Sequence, residues 1–189
     1  MSKTRALDHL VIAARDLDEG SEWLRDRLGV LPEPGGRHPL MGTHNRLLSL
    51  GPHEYLELIA IDPEAAAPRR PRWYGLDDFD DDEPRLAGWV ARSTPLTAPA
   101  GFSIREASRG DLRWRIAIPD SGQTAHDGAE PLLIDWGDGP HPALHLPDHG
   151  LRLTTLALPL TDAPIDDARL RLGHGFSATL SIQDRKIAL

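Results

Sequence analysis

Glu57 stands in Tyr55-Leu56-Glu57-Leu58-Ile59, where strand alternation puts it on one face with Tyr55, Ile59 and Ile61. A carboxylate on an apolar face is rarely fully buried unless it is paired or holds a metal. Arg46, on the neighbouring strand of a predicted hairpin, could be that pair. His9 falls on a strand face with Leu7, Val11 and Ala13. A neutral imidazole there either ligates a metal or bonds a neighbouring strand. His44 is a spare ligand or a pocket-rim residue, and one residue of slip in the hairpin decides which. The chain has no cysteine, so any metal must rest on His, Asp or Glu.

Other patterns carry less. His141, His145 and His149 have helical spacing, but Pro142 and Pro147 forbid the helix. Asp78, Asp80 and Asp82 imitate the opening of a calcium loop. Glu83 and Trp89 stand where that loop needs its glycine and its closing glutamate, which excludes an EF-hand. Trp89, Trp114 and Trp136 either wall a pocket or fill a core. No Gly-rich phosphate loop, serine elbow or zinc-protease helix occurs, which removes several large enzyme classes.

The elements that must position these residues begin with a strand over residues 7–14. A helix follows, capped by Asp16, with Leu17, Ser21, Leu24 and Leu28 on one stripe and Gly29 as its stop. Residues 32–39 read as loop, hiding at most one short strand. Residues 44–50 and 54–61 read as a hairpin. These make a first module over residues 1–62. Residues 63–84, rich in proline and aspartate, read as a linker. Strands over 86–91, 102–107, 112–118 and 132–136 form a second, helix-poor module over 85–145. Residues 146–189 form a C-terminal addition, strand 151–158, helix 162–172 and strand 176–182. One compact α+β domain is expected overall.

At 189 residues the chain is long enough to bury a core of its own. Its 29 acidic residues against 21 basic ones give a net charge of −8, which argues against nucleic acid or an anionic membrane as partner. No apolar run reaches the roughly 18 residues of a membrane span, and the first apolar stretch is broken at Asp8-His9. A cytoplasmic protein is expected.

The text Leu7-Asp8-His9-Leu10-Val11-Ile12 and Tyr55-Leu56-Glu57-Leu58 resembles the first module of the vicinal oxygen chelate superfamily, the glyoxalase, bleomycin-resistance and extradiol dioxygenase fold. Gly42-Thr43-His44-Asn45-Arg46, Gly88-Trp89 and Leu133-Ile134-Asp135-Trp136-Gly137 resemble its bacterial glyoxalase-like domain proteins. The resemblance implies paired βαβββ modules closing around a metal, with His9 and Glu57 as the first module's ligands. Laying Arg15-Asp16-Leu17 on Thr94-Pro95-Leu96 puts Gly88 where the second histidine would stand, and leaves Asp135 as the last carboxylate.

Two functions follow from the resemblance. In the first, His9, Glu57 and Asp135 hold Fe(II), Mn(II), Ni(II) or Zn(II) in a lyase, isomerase or dioxygenase acting on a small oxygenated molecule, with Asp135 or Glu57 in a catalytic role. In the second, a metal-free resistance-type module grips a ligand with Tyr55, Trp89, Trp114 and Trp136, beside His44, Arg46 and the space left by Gly88. The weakened second module leaves surface for a partner, which points to a homodimer.

Overall fold

The computed structural model describes residues 4–80 and 82–189; Asp81 of the acidic stretch and the first three residues lie outside it. β1 (Thr4–Ala13) leads into α1 (Leu17–Leu28), then β2 (Glu33–His38), β3 (Thr43–Gly51) and β4 (Glu54–Ile61). The second module has β5 (Arg85–Thr94), β6 (Phe102–Arg109), β7 (Leu112–Pro119) and β8 (Leu132–Asp135), with no α-helix between β5 and β6. All eight strands form one sheet in the order β2-β3-β4-β1-β5-β8-β7-β6. Each module repeats one pattern: its first strand runs parallel to its last, and the remaining pairs are antiparallel. The modules join where β1 pairs antiparallel with β5. This is an α+β fold of paired βαβββ-type modules.

α1 begins where the Asp16 carboxylate accepts the Asp18 and Glu19 N–H groups, and it ends at Gly29 in the left-handed conformation, φ 75°. Its buried stripe of Leu17, Gly20, Ser21, Leu24 and Leu28 lies on the outer face of the sheet. The C-terminal addition covers the same face with a four-stranded sheet, β10-β9-β11-β12. Its strands are β9 (Arg152–Leu158), β10 (Leu170–Leu172), β11 (Ser177–Ile182) and β12 (Arg185–Ala188). The helix expected over residues 162–172 does not form. Pro164 and the Asp166-Asp167 pair disfavour it, and Arg169 is bonded to Asp167 and, at 2.6 and 2.7 Å, to Glu54 of the first module. That clamp holds the segment extended, and β10 then pairs with β9.

The inner face has its own core of Val11, Ile59, Val90, Ile116, Ile134 and neighbours. Residues 63–84, expected as a linker, cross this face and bury Trp73, Tyr74 and Leu76 in it. The sheet curls until its two edge strands, β2 and β6, approach each other. Gly36 marks the seam: a Cβ there would stand 2.5 Å from the Arg109 side chain. Among the described residues no helix is long and apolar enough to cross a membrane.

A buried carboxylate and histidine cluster as candidate active site

The site begins with a bulge. Leu7 pairs with Ala91 and His9 with Val90, so Asp8 is an extra residue opposite β5. The bulge moves Leu7 to the outer core, away from the face of His9 where alternation had put it, and leaves both Asp8 and His9 buried. His9 Nδ1 lies 2.6 Å from Asp8 Oδ1, and its Nε2 lies 3.4 Å from Glu57 Oε2. Its ring stacks on Tyr55 at 4.4 Å. Asp8 also accepts from Trp136 Nε1 at 3.0 Å and meets His141 Nε2 at 3.1 Å. His141 Nδ1 accepts the Ala143 N–H, so its Nε2 carries the proton given to Asp8.

Glu57 is paired, but not with Arg46. The hairpin register sets Leu47 opposite Glu57 and Arg46 opposite Leu58. Asn45 therefore faces inward and donates to Glu57 Oε1 at 2.5 Å. His38 Nε2 stands 3.9 Å from the same oxygen and 3.3 Å from Asn45 Nδ2, while its Nδ1 meets Thr43 Oγ1 at 3.1 Å. Gly35 makes this arrangement feasible, because a Cβ there would stand 2.1 Å from Asn45 Oδ1.

Burial alone would lower the His9 pKa, but the Asp8 and Glu57 carboxylates outweigh it and hold the imidazole up to about 9. Burial would raise Glu57; the bond and charge of His9, with Asn45, bring it down to about 2. Asp8 is held well below the usual carboxylate range by His141 and His9, against burial. Burial drives His38 down to about 4, with Glu57 opposing and Arg109 reinforcing the shift. At neutral pH the cluster is thus an imidazolium between two carboxylates, beside a neutral imidazole.

His9, Glu57 and His38 border a cavity of about 20 Å³, walled by Tyr55, Trp73, Tyr74, Trp114 and Trp136. That volume holds roughly one water. A cleft of about 950 Å³ lies outside it, between β2, the β6–β7 turn and residues 140–147. Arg109 borders both spaces.

Several expected site residues lie elsewhere. His44 and Arg46 point to the helix side; Arg46 bonds Asp18, Ser21 and the Leu17 carbonyl. Trp89 is in the outer core, its Nε1 donating to the Ala129 carbonyl at 2.8 Å. Asp135 alternates with the cavity-lining Ile134 and Trp136, so it faces away, bonded to Arg115 and the Gly137 N–H. Pairing explains the error. His9 faces Val90 and Val11 faces Gly88, so His9 corresponds to Gly88. Val11 pairs with Glu57, and its counterpart Val90 pairs with Leu132, so Glu57 corresponds to Leu132 and not to Asp135.

The residues present do not fit the four-ligand metal centre that the resemblance implied. Gly88 and Leu132 offer no donor, and the Tyr74 ring covers Gly88. Both His9 nitrogens face carboxylates, and Asn45 occupies one Glu57 oxygen. Among the described residues no three His, Asp or Glu side chains form a group able to hold a metal ion. Restoring the histidine is expected to damage the protein: a Cβ on Gly88 would stand 2.9 Å from the Tyr74 ring. Gly88→His should cost about 1–3 kcal/mol in urea unfolding, as overpacking does, without creating metal uptake.

Two βαβββ-type modules meeting at their first strands, with a carboxylate and histidine cluster inside, define the paired-module class of the vicinal oxygen chelate superfamily. Within it the chain belongs to the family described as glyoxalase-like domain, whose model matches residues 7–171. A hypothetical protein from Staphylococcus aureus shares the fold at 12% identity and TM-score 0.52, over 100% of this chain and 84% of that one. Methylmalonyl-CoA epimerase from Mycobacterium tuberculosis is similar at 20% identity and TM-score 0.44, over 71% of this chain and 88% of that one. A single-residue variant of Streptomyces coelicolor methylmalonyl-CoA epimerase, in complex with 2-nitronate-propionyl-CoA, is similar at 18% identity and TM-score 0.44, over 75% of this chain and 100% of that one. No curated protein matches the chain.

Proposed function

We propose that this protein moves a proton on a small oxygenated molecule, as an isomerase- or lyase-type enzyme that uses side chains in place of a metal. The observation that carries this reading is the row His9–Glu57–His38 bordering a water-sized cavity, with Asp8 behind His9. His9 is the electrophile: its Nε2–H is only loosely engaged by Glu57, at 3.4 Å, and is free to turn to a ligand carbonyl oxygen. That exchange removes the contact that holds Glu57 acidic, so the act that polarises the carbonyl also makes the carboxylate a better base. Glu57 takes the proton from the carbon next to the carbonyl, and the enolate oxygen is stabilised by His9. Return of the proton to the same carbon closes an exchange cycle; where that carbon carries a hydroxyl, delivery to the former carbonyl carbon, with His9 protonating the former carbonyl oxygen and recovering the hydroxyl proton, completes an isomerisation. Asp8 keeps His9 charged and oriented, while Asn45 fixes the Glu57 plane.

A second reading, metal-free sequestration, is favoured by the five tyrosine and tryptophan side chains that wall the cavity. Pyruvate and 2-oxobutyrate in D₂O separate the two. Proton NMR should record loss of the C3–H signals above the blank, and Glu57→Gln should slow it by roughly 10²-fold or more, the usual scale for a lost acid–base group. Saturable tryptophan quenching without exchange would defeat the enzyme reading and leave the sequestering one.

A further inference from the structure

Arg109 closes β6, half-buried, with its stem laid on Gly36 across the seam of the curled sheet. It is the residue common to the inner cavity and the outer cleft. Arg37, which also borders the cleft, is occupied by Asp62 and Glu64. Arg115 is occupied by Asp135 and Arg72 by Asp77. For Arg109, no carboxylate among the described residues lies within ion-pair distance, and the cleft carboxylates Glu33 and Asp111 do not reach it. A second donor is also unmatched: Trp73 Nε1, buried in the cavity wall, has no hydrogen-bond partner.

We infer that Arg109 is a specificity residue that binds the carboxylate of the ligand at the neck between cleft and cavity. The geometry sets the ligand's order. The cavity of about 20 Å³ has room for little more than the carbonyl oxygen, and the carboxylate next to it, pointing outward, meets the guanidinium. A planar carboxylate matches the arginine fork, with two parallel N–H···O bonds. The ligand class is therefore a short carboxylic acid carrying its carbonyl beside the carboxylate, with Trp73 Nε1 available to a ligand oxygen. This inference rests on the site proposed above but not on its chemistry, because binding and proton exchange are read separately.

Trp73, Trp114 and Trp136 border the cavity, so tryptophan fluorescence reports entry. Pyruvate should quench saturably, and pyruvamide, which keeps the shape and loses the charge, should not. Arg109→Gln should weaken pyruvate binding roughly 10- to 100-fold, the worth of a charge-assisted bidentate contact. Arg109→Lys, which keeps charge but not the fork, should fall between, and the exposed Arg105→Gln should bind like the wild type. Melting curves identify any variant that fails to fold, and Arg109→Lys then carries the test. Equal binding of pyruvate and pyruvamide would overturn the inference. So would wild-type affinity in Arg109→Gln, or no saturable quenching by pyruvate or 2-oxobutyrate up to ~10 mM, tenfold weaker than a millimolar binder. Arginine-dependent binding without deuterium exchange would keep the inference and defeat the enzyme reading.

Discussion

Glu57→Gln is expected to destabilise the protein by about 3 kcal/mol, at the low end of what breaking a buried ion pair costs. The amide keeps the shape, and its oxygen still accepts from Asn45, so the loss falls on His9. For a chain of this size that is a drop of roughly 6–12 °C in melting temperature. The pH profile supplies the sign. His9 is raised from 6.5 to about 9, so its contribution is complete below 6.5 and disappears as pH climbs through 9. Glu57 is lowered from 4.5 to about 2, so its contribution is complete above 4.5 and disappears as pH falls towards 2. The Glu57 shift and part of the His9 shift report one interaction, Asp8 supplying the rest of the latter, and stability should be greatest between 4.5 and 6.5. Wild-type melting temperature should decline from neutral pH towards pH 9, and Glu57→Gln should show a flatter decline. An unchanged melting temperature in the variant would mean that His9 is not charged in the fold.

Asp8→Ala should be more damaging, at about 3–5 kcal/mol, or roughly 6–20 °C in melting temperature. One fully buried carboxylate serves His9, His141 and Trp136, with Arg92 Nε at 3.6 Å. Its removal strands three donors in an apolar setting, and His9 keeps only the longer contact to Glu57. Asp8→Asn should cost less, because one acceptor oxygen remains. Adding His9→Gln to Asp8→Asn should cost less than the two single changes together, since the second removes a partner the first has already orphaned. Strict additivity, measured by urea unfolding, would show that Asp8 and His9 are not coupled.

Glu57 was legible as a site residue because its chemistry contradicts its pattern: strand alternation demands burial, and a carboxylate resists it. The strands, the capped helix and the two-module plan followed from period and turn residues for the same local reason. Asp135 misled because its surrounding text matches the family while the pairing of β5 with β8 sets Leu132 in the corresponding place. A strand reverses its faces with one residue of shift, and register is decided between strands. The bulge at Asp8, which brings two adjacent side chains into one network, is likewise a property of the β1–β5 pair. His38 sat in a stretch read as loop, because Pro34, Gly35 and Gly36 carry the composition of one; Gly35 is there for the close approach of Asn45. Arg109 and Trp73 carried no signal at all. By itself the sequence determined which segments could be strands and helix, and that a carboxylate and a histidine would be buried in the first module. Only the tertiary structure decided their partners, because the site is assembled by curling an eight-stranded sheet until residues far apart in the chain share one small cavity, and no local pattern encodes that closure.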